Sequence, residues 1–496
     1  MSWNSRAFWR WGSAVALGLL ACLASAPAGA AEAAAPSEER WFKVEIGGKQ
    51  AGYYHEMERF EGGRHSVTQN LEIELERGNT RLGFHLLVEV SESADGRLLT
   101  MGLEQALGGE PDQVLWTFGP ERVEVEANQS GQKTHETAPL PSGEWLSVPA
   151  SDRKVREAVR KGSEALRFRQ LNPSTGLNPV EMEFRRVGPG PELATPNGPR
   201  PTTLWRERTG GIESTVYFDA DGQALKTETS LSGLAMVISI ADEAAARAKR
   251  EAPELLVSSF VRPSRPLADP RSLHRAVYRL RDKTDSITSL PTSGGQYAER
   301  DGDGWRVRVT TERSEPAPAE EDPAPYLRAS VYLDFQNPKV TALLAKALPA
   351  AKASEAERAE ALRAFVHRYI EGYSLDTGFA TASEVAEKRH GDCTENAVLL
   401  AALLRAAGIP SRVVTGLLYV EEFAGQKDVF GHHMWTQGLL GGRWVDLDSI
   451  TENRFDAAHI ALTTSPLNEP QGLSSPEAMA SIAGAEFEIE VISAEK

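Results

Sequence analysis

Residues 390–416 read HGDCTENAVLLAALLRAAGIPSRVVTG and place a cysteine where the chain turns into an apolar helix. Within 394–407, Ala397, Leu400, Ala401 and Leu404 recur at i, i+3, i+4 and i+7, which is the spacing of one buried helical face. Gly408 and Pro410 then end the run. Cys393 therefore falls at a helix N-terminus, where unpaired N–H groups and the positive end of the helix dipole favour a thiolate. A cysteine that merely fills a core is the commoner case in general. Here the preceding Gly391-Asp392, and a histidine and carboxylates some forty residues downstream, argue for a nucleophile.

Those partners lie in FGHHMWTQGLLGGRWVDLDS, residues 430–449. The stretch reads as two strands joined at Gly441-Gly442, with a histidine on the first strand and carboxylates on the second. An imidazole so placed can take a thiol proton while a carboxylate fixes its tautomer. Adjacent strand residues face opposite sides, so only one of His432 and His433 can reach the cysteine. Asp446 and Asp448, two apart, share a face, and the residues alone leave the choice between them open. A zinc site built from Cys393, a histidine and these acids is a weaker alternative for the same reason.

These motifs in order, GDC, LLRAAGIPSRVVTG, H-x-W and W-V-x-x-D, resemble the transglutaminase-like superfamily of papain-type thiol enzymes over roughly residues 350–465. The resemblance implies Cys393 as nucleophile, His433 as base, since H-x-W is the family spacing, and Asp448 as orienting acid, counted from Trp444. Where the family often has Asp-Pro, this chain has Asp448-Ser449. No cofactor is called for. The activity implied is attack on a peptide or side-chain amide through a thioester, with hydrolysis (protease or amidase) as the default. The alternatives are a cross-linking transglutaminase and a non-catalytic scaffold that binds through the N-terminal region.

Only two cysteines occur in 496 residues, and the other, Cys22, lies in a leader. Arg6 and Arg10 precede the apolar stretch 12–24, and Ala28-Gly29-Ala30 offers a small-residue cleavage site, so residues 1–30 read as a signal peptide. Leu19-Leu20-Ala21-Cys22 is an alternative lipoprotein box, which would acylate Cys22 and attach the protein to a membrane. Either way the expectation is an exported, periplasmic or cell-envelope protein acting on protein or peptide, including cell-wall peptide. The formal net charge of −16 would repel phosphate backbones, so nucleic acid is not an expected partner.

The length suggests more than one core, and the fold expected is α+β. Residues 37–245 form an antiparallel β-rich domain, in which Leu71, Ile73 and Leu75 alternate with Glu72, Glu74 and Glu76. One helix interrupts it at 151–161, capped by Ser151, and a short helix is expected near 242–253. A second β domain spans 254–337, with strands near 255–261, 274–280, 305–311 and 330–335 and a Pro-rich acidic loop at 316–326. The catalytic domain occupies 338–475, with helices at 340–348 and 355–369, the latter opened by a Ser354/Glu357 capping box. Residues 476–496 are left as a strand or tail. Asp301-Gly302-Asp303-Gly304 lacks the glutamate of a calcium loop and reads as a hairpin turn. His390 and His459 are cleft candidates, while the remaining histidines, Trp435 and Trp444 read as packing or surface residues.

Overall fold

A computed structural model describes residues 38–496 except 78–79, 108–110, 130–131, 210–211, 232–233, 255–258, 284–286, 288, 313–321, 349–352, 373–379 and 468–485. The leader with Cys22, and most of the Pro-rich loop, lie outside the described residues. The chain divides after Glu254 into two compact units.

The first unit is one 14-stranded antiparallel sheet running from β1 (Glu38–Ile46) to β14 (Leu234–Ala241). Its strands follow one another outward as hairpins on both sides, to β8 (Gln132–Pro139) at one edge and β9 (Ala165–Gln170) at the other, and β1 pairs with β14 to join the two halves. The period of two sets the faces: in β3 (Arg64–Arg77) Leu71, Ile73 and Leu75 are buried while the intervening glutamates are not. The interrupting helix α1 spans Val148–Arg160, so it starts earlier than the expected 151. Its cap is Ser147, whose hydroxyl accepts the Ala150 N–H at 3.2 Å, and Pro149 occupies the first turn where no N–H is needed. Ser151 lies inside the helix, with its hydroxyl turned to the Val148 carbonyl. The short helix after the sheet is α2 (Glu243–Ala246), capped by Asp242.

The second unit holds two four-stranded antiparallel sheets. One is ordered β16 (Gln296–Asp301), β17 (Gly304–Thr310), β15 (Arg275–Asp282), β22 (Phe487–Glu495). The Asp301–Gly304 segment is the hairpin turn between β16 and β17. The other sheet is ordered β20 (Arg443–Leu447), β19 (Gln426–Leu440), β18 (Ser411–Phe423), β21 (His459–Ser465).

Four helices share one core with this second sheet, α3 (Pro338–Ala347), α4 (Glu355–Tyr369), α5 (Ala382–Lys388) and α6 (Cys393–Ala406), of which α6 lies on the sheet and the others pack about it. The α4 capping box of Ser354 and Glu357 forms as expected. Leu400, Ala401 and Leu404 of α6 are fully buried, but so are Leu399, Ala402 and Leu403, because neighbouring helices and the sheet surround α6 on all sides. A helix apolar all round is a central helix rather than an amphipathic one.

The structure corrects two expectations. The boundary at 337/338 does not separate two cores: Tyr278, Trp305 and Val307 of the first sheet pack with Leu417, Tyr419, Phe430 and Ile460 of the second. Of the stretch left as a strand or tail, Phe487–Glu495 is a strand: β22 pairs with β15 and buries Phe487, Ile489 and Val491. The segment 330–335 forms no strand; Leu333 is buried against the helices, and its apolar neighbours imitate a strand pattern without a partner strand.

Candidate active site

Cys393 is the first residue of α6, and the local sequence fixes it there. Asp392 caps the helix by accepting the Thr394 N–H at 2.7 Å, and the Glu395 carboxylate accepts the Asp392 N–H at 2.9 Å. This acidic capping box satisfies backbone donors that the first turn would otherwise leave bare. Burial, and then the neighbouring Asp392, push the Glu395 carboxyl up to about 8, so it is mostly protonated near neutrality. The helix is tied to the sheet behind it by the Thr436 hydroxyl, which donates to the Ala397 carbonyl at 2.9 Å.

His433 stands on β19, nearly buried, with Nε2 3.0 Å from Asp448 Oδ2. The Cys393 thiol at the start of α6 interacts electrostatically with this ring. The Trp435 ring stacks beside the imidazole at 6.0 Å and 20°. Trp435 in turn needs Gly416 on the adjacent strand, where a Cβ would come within 2.7 Å of the indole and 2.2 Å of the Ile460 carbonyl oxygen. His432, the next residue along the strand, lies outside the cluster that His433 forms with Asp448, as alternation requires.

Asp448 lies just beyond the end of β20 and is 1% exposed. Its Oδ1 accepts the Ile450 N–H at 2.8 Å, and its backbone is held on both sides: its own N–H donates to the Arg454 carbonyl at 2.8 Å, and its carbonyl accepts from Arg363 at 3.2 Å. Burial alone would raise this carboxyl, but the imidazoles of His433 and His459 hold it far below the usual carboxylate range. Burial likewise disfavours a charged His433, and Asp448 outweighs it, raising the imidazole to about 9.

The two acids that the residues alone could not distinguish are separated by the structure. Asp446 receives N–H groups from Trp435 Nε1 at 2.8 Å, Gln437 Nε2 at 2.8 Å and Gly295 N at 2.7 Å. It binds the indole beside His433 and not His433 itself.

His459 is the participant that the sequence placed only as a cleft residue. It is wholly buried, with Nε2 3.2 Å from Asp448 Oδ2 and Nδ1 3.0 Å from Asp456 Oδ1. A sequence signal for it existed in the Asp456-Ala457-Ala458-His459 spacing, but nothing linked that pair to Asp448. His390 is exposed, with its ring on the Lys388 carbonyl, and takes no part. The ligand atoms of His433, Asp448 and His459 lie within 4.8 Å of one another, a spacing that a small divalent cation could bridge. The hydrogen bonds of 3.0 and 3.2 Å already account for that convergence.

A helix that presents a cysteine at its N-terminus, packed on an antiparallel sheet that supplies a buried histidine–carboxylate pair, defines a papain-type thiol enzyme fold. Residues 343–449 match the transglutaminase-like superfamily, so the second unit carries a transglutaminase-like domain. No curated protein matches the chain. Among solved structures, a proposed cysteine protease of Cytophaga hutchinsonii is similar at 16% identity over 48% of this chain and 86% of that one, with a TM-score of 0.29. The periplasmic domain of TgpA from Pseudomonas aeruginosa is similar at 17% identity over 36% and 91%, with a TM-score of 0.20. A β-barrel-like protein of Brucella abortus, a domain of unknown function, is similar at 6% identity over 41% and 95%, with a TM-score of 0.32.

Proposed function

We propose that this protein is an exported thiol hydrolase in which Cys393 attacks peptide or side-chain amides, His433 moves the proton and Asp448 orients His433. The observation that carries this reading is the buried His433–Asp448 pair, 3.0 Å apart, in electrostatic contact with the Cys393 thiol at the α6 N-terminus. In the first half-reaction the Cys393 sulfur, its proton held by His433, bonds to the carbonyl carbon. The amine then leaves with that proton as the C–N bond breaks, giving a thioester. In the second, water gives a proton to His433 and its oxygen displaces sulfur, which leaves as the thiolate and releases an acid. The Cys393 N–H at the helix N-terminus is one donor for the developing oxyanion. Hydrolysis is favoured because water is the default acceptor where nothing excludes it.

Export rests on the leader reading. Among the described residues no helix is long and apolar enough to cross a membrane. The test is an acyl-type, thiol-directed probe applied to the full chain. Labelling should map to Cys393, vanish in Cys393→Ala and be strongly reduced in His433→Ala. Peptide-amide substrates offered with and without a primary amine then separate hydrolysis from transfer by product mass. Labelling that persists unchanged in His433→Ala overturns the assignment.

A further inference from the structure

The carboxylate that serves His433 is shared. Asp448 Oδ2 faces His433 Nε2 at 3.0 Å and His459 Nε2 at 3.2 Å, on one oxygen. On its far side His459 Nδ1 faces two oxygens of Asp456, Oδ1 and the backbone carbonyl, each at 3.0 Å. Asp456 is itself anchored: Oδ1 accepts the Ala458 N–H at 2.9 Å, and Oδ2 lies 2.7 Å from Arg271 Nη1. Both ring nitrogens of His459 thus point at acceptors that carry no proton of their own. A neutral imidazole has one N–H and would set a lone pair against a carboxylate. Two donors are needed, and only the imidazolium has them.

The surroundings keep water away from this cation without leaving it unpaired. Trp435 meets the His459 ring edge-on at 5.2 Å and Phe455 lies at 4.6 Å, while His459 itself is 0% exposed. The titratable and charged groups facing the network are Cys393, His433, Asp448, Asp456, Arg271, Arg363, which donates to the Asp448 carbonyl at 3.2 Å, and Tyr278, whose hydroxyl donates to the Ala457 carbonyl at 2.8 Å. From Arg271 through Asp456 and His459 to Asp448 the formal charges alternate and cancel. His433 therefore faces a carboxylate whose negative charge is already partly spent.

We infer that His459, held as an imidazolium between Asp448 and Asp456, is a positioning residue that fixes the Asp448 carboxylate toward His433 and limits how strongly that carboxylate retains a proton on His433. The inference rests on the proposed roles of Cys393, His433 and Asp448 for its catalytic meaning, but its physical content does not depend on turnover. Burial opposes charge on His459, yet Asp456 and Asp448 prevail and raise it to about 9, in agreement with the geometry. A base held too firmly protonated is slow to pick up the proton of the thiol or of attacking water. A second cation on the same carboxylate oxygen relaxes that hold.

The experiment is imidazole-nitrogen NMR of the full chain, titrated over pH, in wild type and in His459→Gln. The glutamine amide can still donate toward Asp448 but carries no charge. In wild type both His459 nitrogens should stay protonated through pH 8. In His459→Gln the His433 midpoint should move up by roughly one to two pH units, the shift expected for removing a like charge whose ring centre is 5.7 Å away. Asp456→Asn should move it the same way and less. On a small activated ester, His459→Gln should lower the acylation rate about ten- to a hundredfold with KM little changed. A neutral His459 at pH 7, or a His433 midpoint that stays put or falls in a folded His459→Gln, overturns the inference. If instead wild type labels no substrate while the titrations come out as expected, it is the proposed reaction that fails and the charge network that stands.

Discussion

Asp446 and Asp448 show how little separates the role proposed for one acid from the structural role of the other. They are two residues apart and both nearly buried, but the chain leaves β20 at Leu447, and Asp448 turns toward His433 while Asp446 stays in the ladder. Asp448→Asn should lower acylation by about four orders of magnitude, because the amide cannot hold the imidazole in the required tautomer. Asp446→Asn should leave the chemistry largely in place and instead destabilise the fold by about 1–3 kcal/mol, since one of its three donors loses its acceptor. Acylation rates and urea midpoints of the two variants check both statements. An Asp446→Asn enzyme that is stable but inactive would reverse the assignment. The choices of His433 over His432 and of Asp448 over Asp446 came only through the family resemblance, while the helix start at Cys393 and the strand pair after it were legible because helix and strand periods are short-range properties. His459 was not, because its partner Asp448 is met through a loop whose path depends on tertiary packing.

At the level of elements, the turn before β16 locks the two sheets of the second unit together. Gly295 N–H reaches Asp446, and the Ser293 hydroxyl donates to Gln437 on β19 at 3.0 Å. Gly294 sits there with φ of +60°, and a Cβ on it would fall 2.0 Å from Asp446 Oδ2 and 2.4 Å from Gln437 Nε2. Gly294→Ala should therefore cost several kcal/mol, beyond the roughly 1 kcal/mol of backbone strain alone, and loosen Trp435 with it. A drop in melting temperature accompanied by a red-shifted tryptophan emission is the expected result; an unchanged melt would mean that the turn is not what joins the sheets. This lock explains why the expected 337/338 boundary fails. Local patterning shows where strands begin and end, whereas which sheet a strand's outer face packs against is written in pairs such as Tyr278 and Phe430, whose rings meet at 5.7 Å and 89°. The Ser147 cap was missed for a simpler reason: Pro149 in the first turn hid the start of α1.

On the scale of the whole molecule, the buried charges set a pH window for the second unit. Asp448 and Asp456 titrate below their ordinary value of 3.8 in the folded chain, so their stabilisation is present above that pH and is lost as pH falls through their depressed range. His433 and His459 are raised from 6.5 to about 9, so theirs is full below 6.5 and is lost as pH rises toward 9. Glu395, raised from 4.5 to about 8, adds to the alkaline loss, because folding keeps a proton that the unfolded chain would release. Stability should peak on the mildly acidic side, near pH ~5, and fall steadily through about pH 8 to 9. Pulse proteolysis in urea at acidic, neutral and alkaline pH, with fragments from residues 255–496 read by mass spectrometry, measures it, and a maximum at about pH 8 or above would contradict the charge assignments.

The pairing of β1 with β14 has a consequence of a different kind. Trp41 lies opposite Ala241, so the sheet's entry and exit stand side by side. A fold whose ends adjoin has no topological need of its own starting point. A gene that joined 241 back to 38 through a short bridge and opened instead between hairpins would encode the same ladder of neighbours. The first unit is in that sense two runs of hairpins seamed at β1 and β14, with β8 and β9 as its free-standing edges, and a cut moved from the seam to a hairpin would leave every pairing in place.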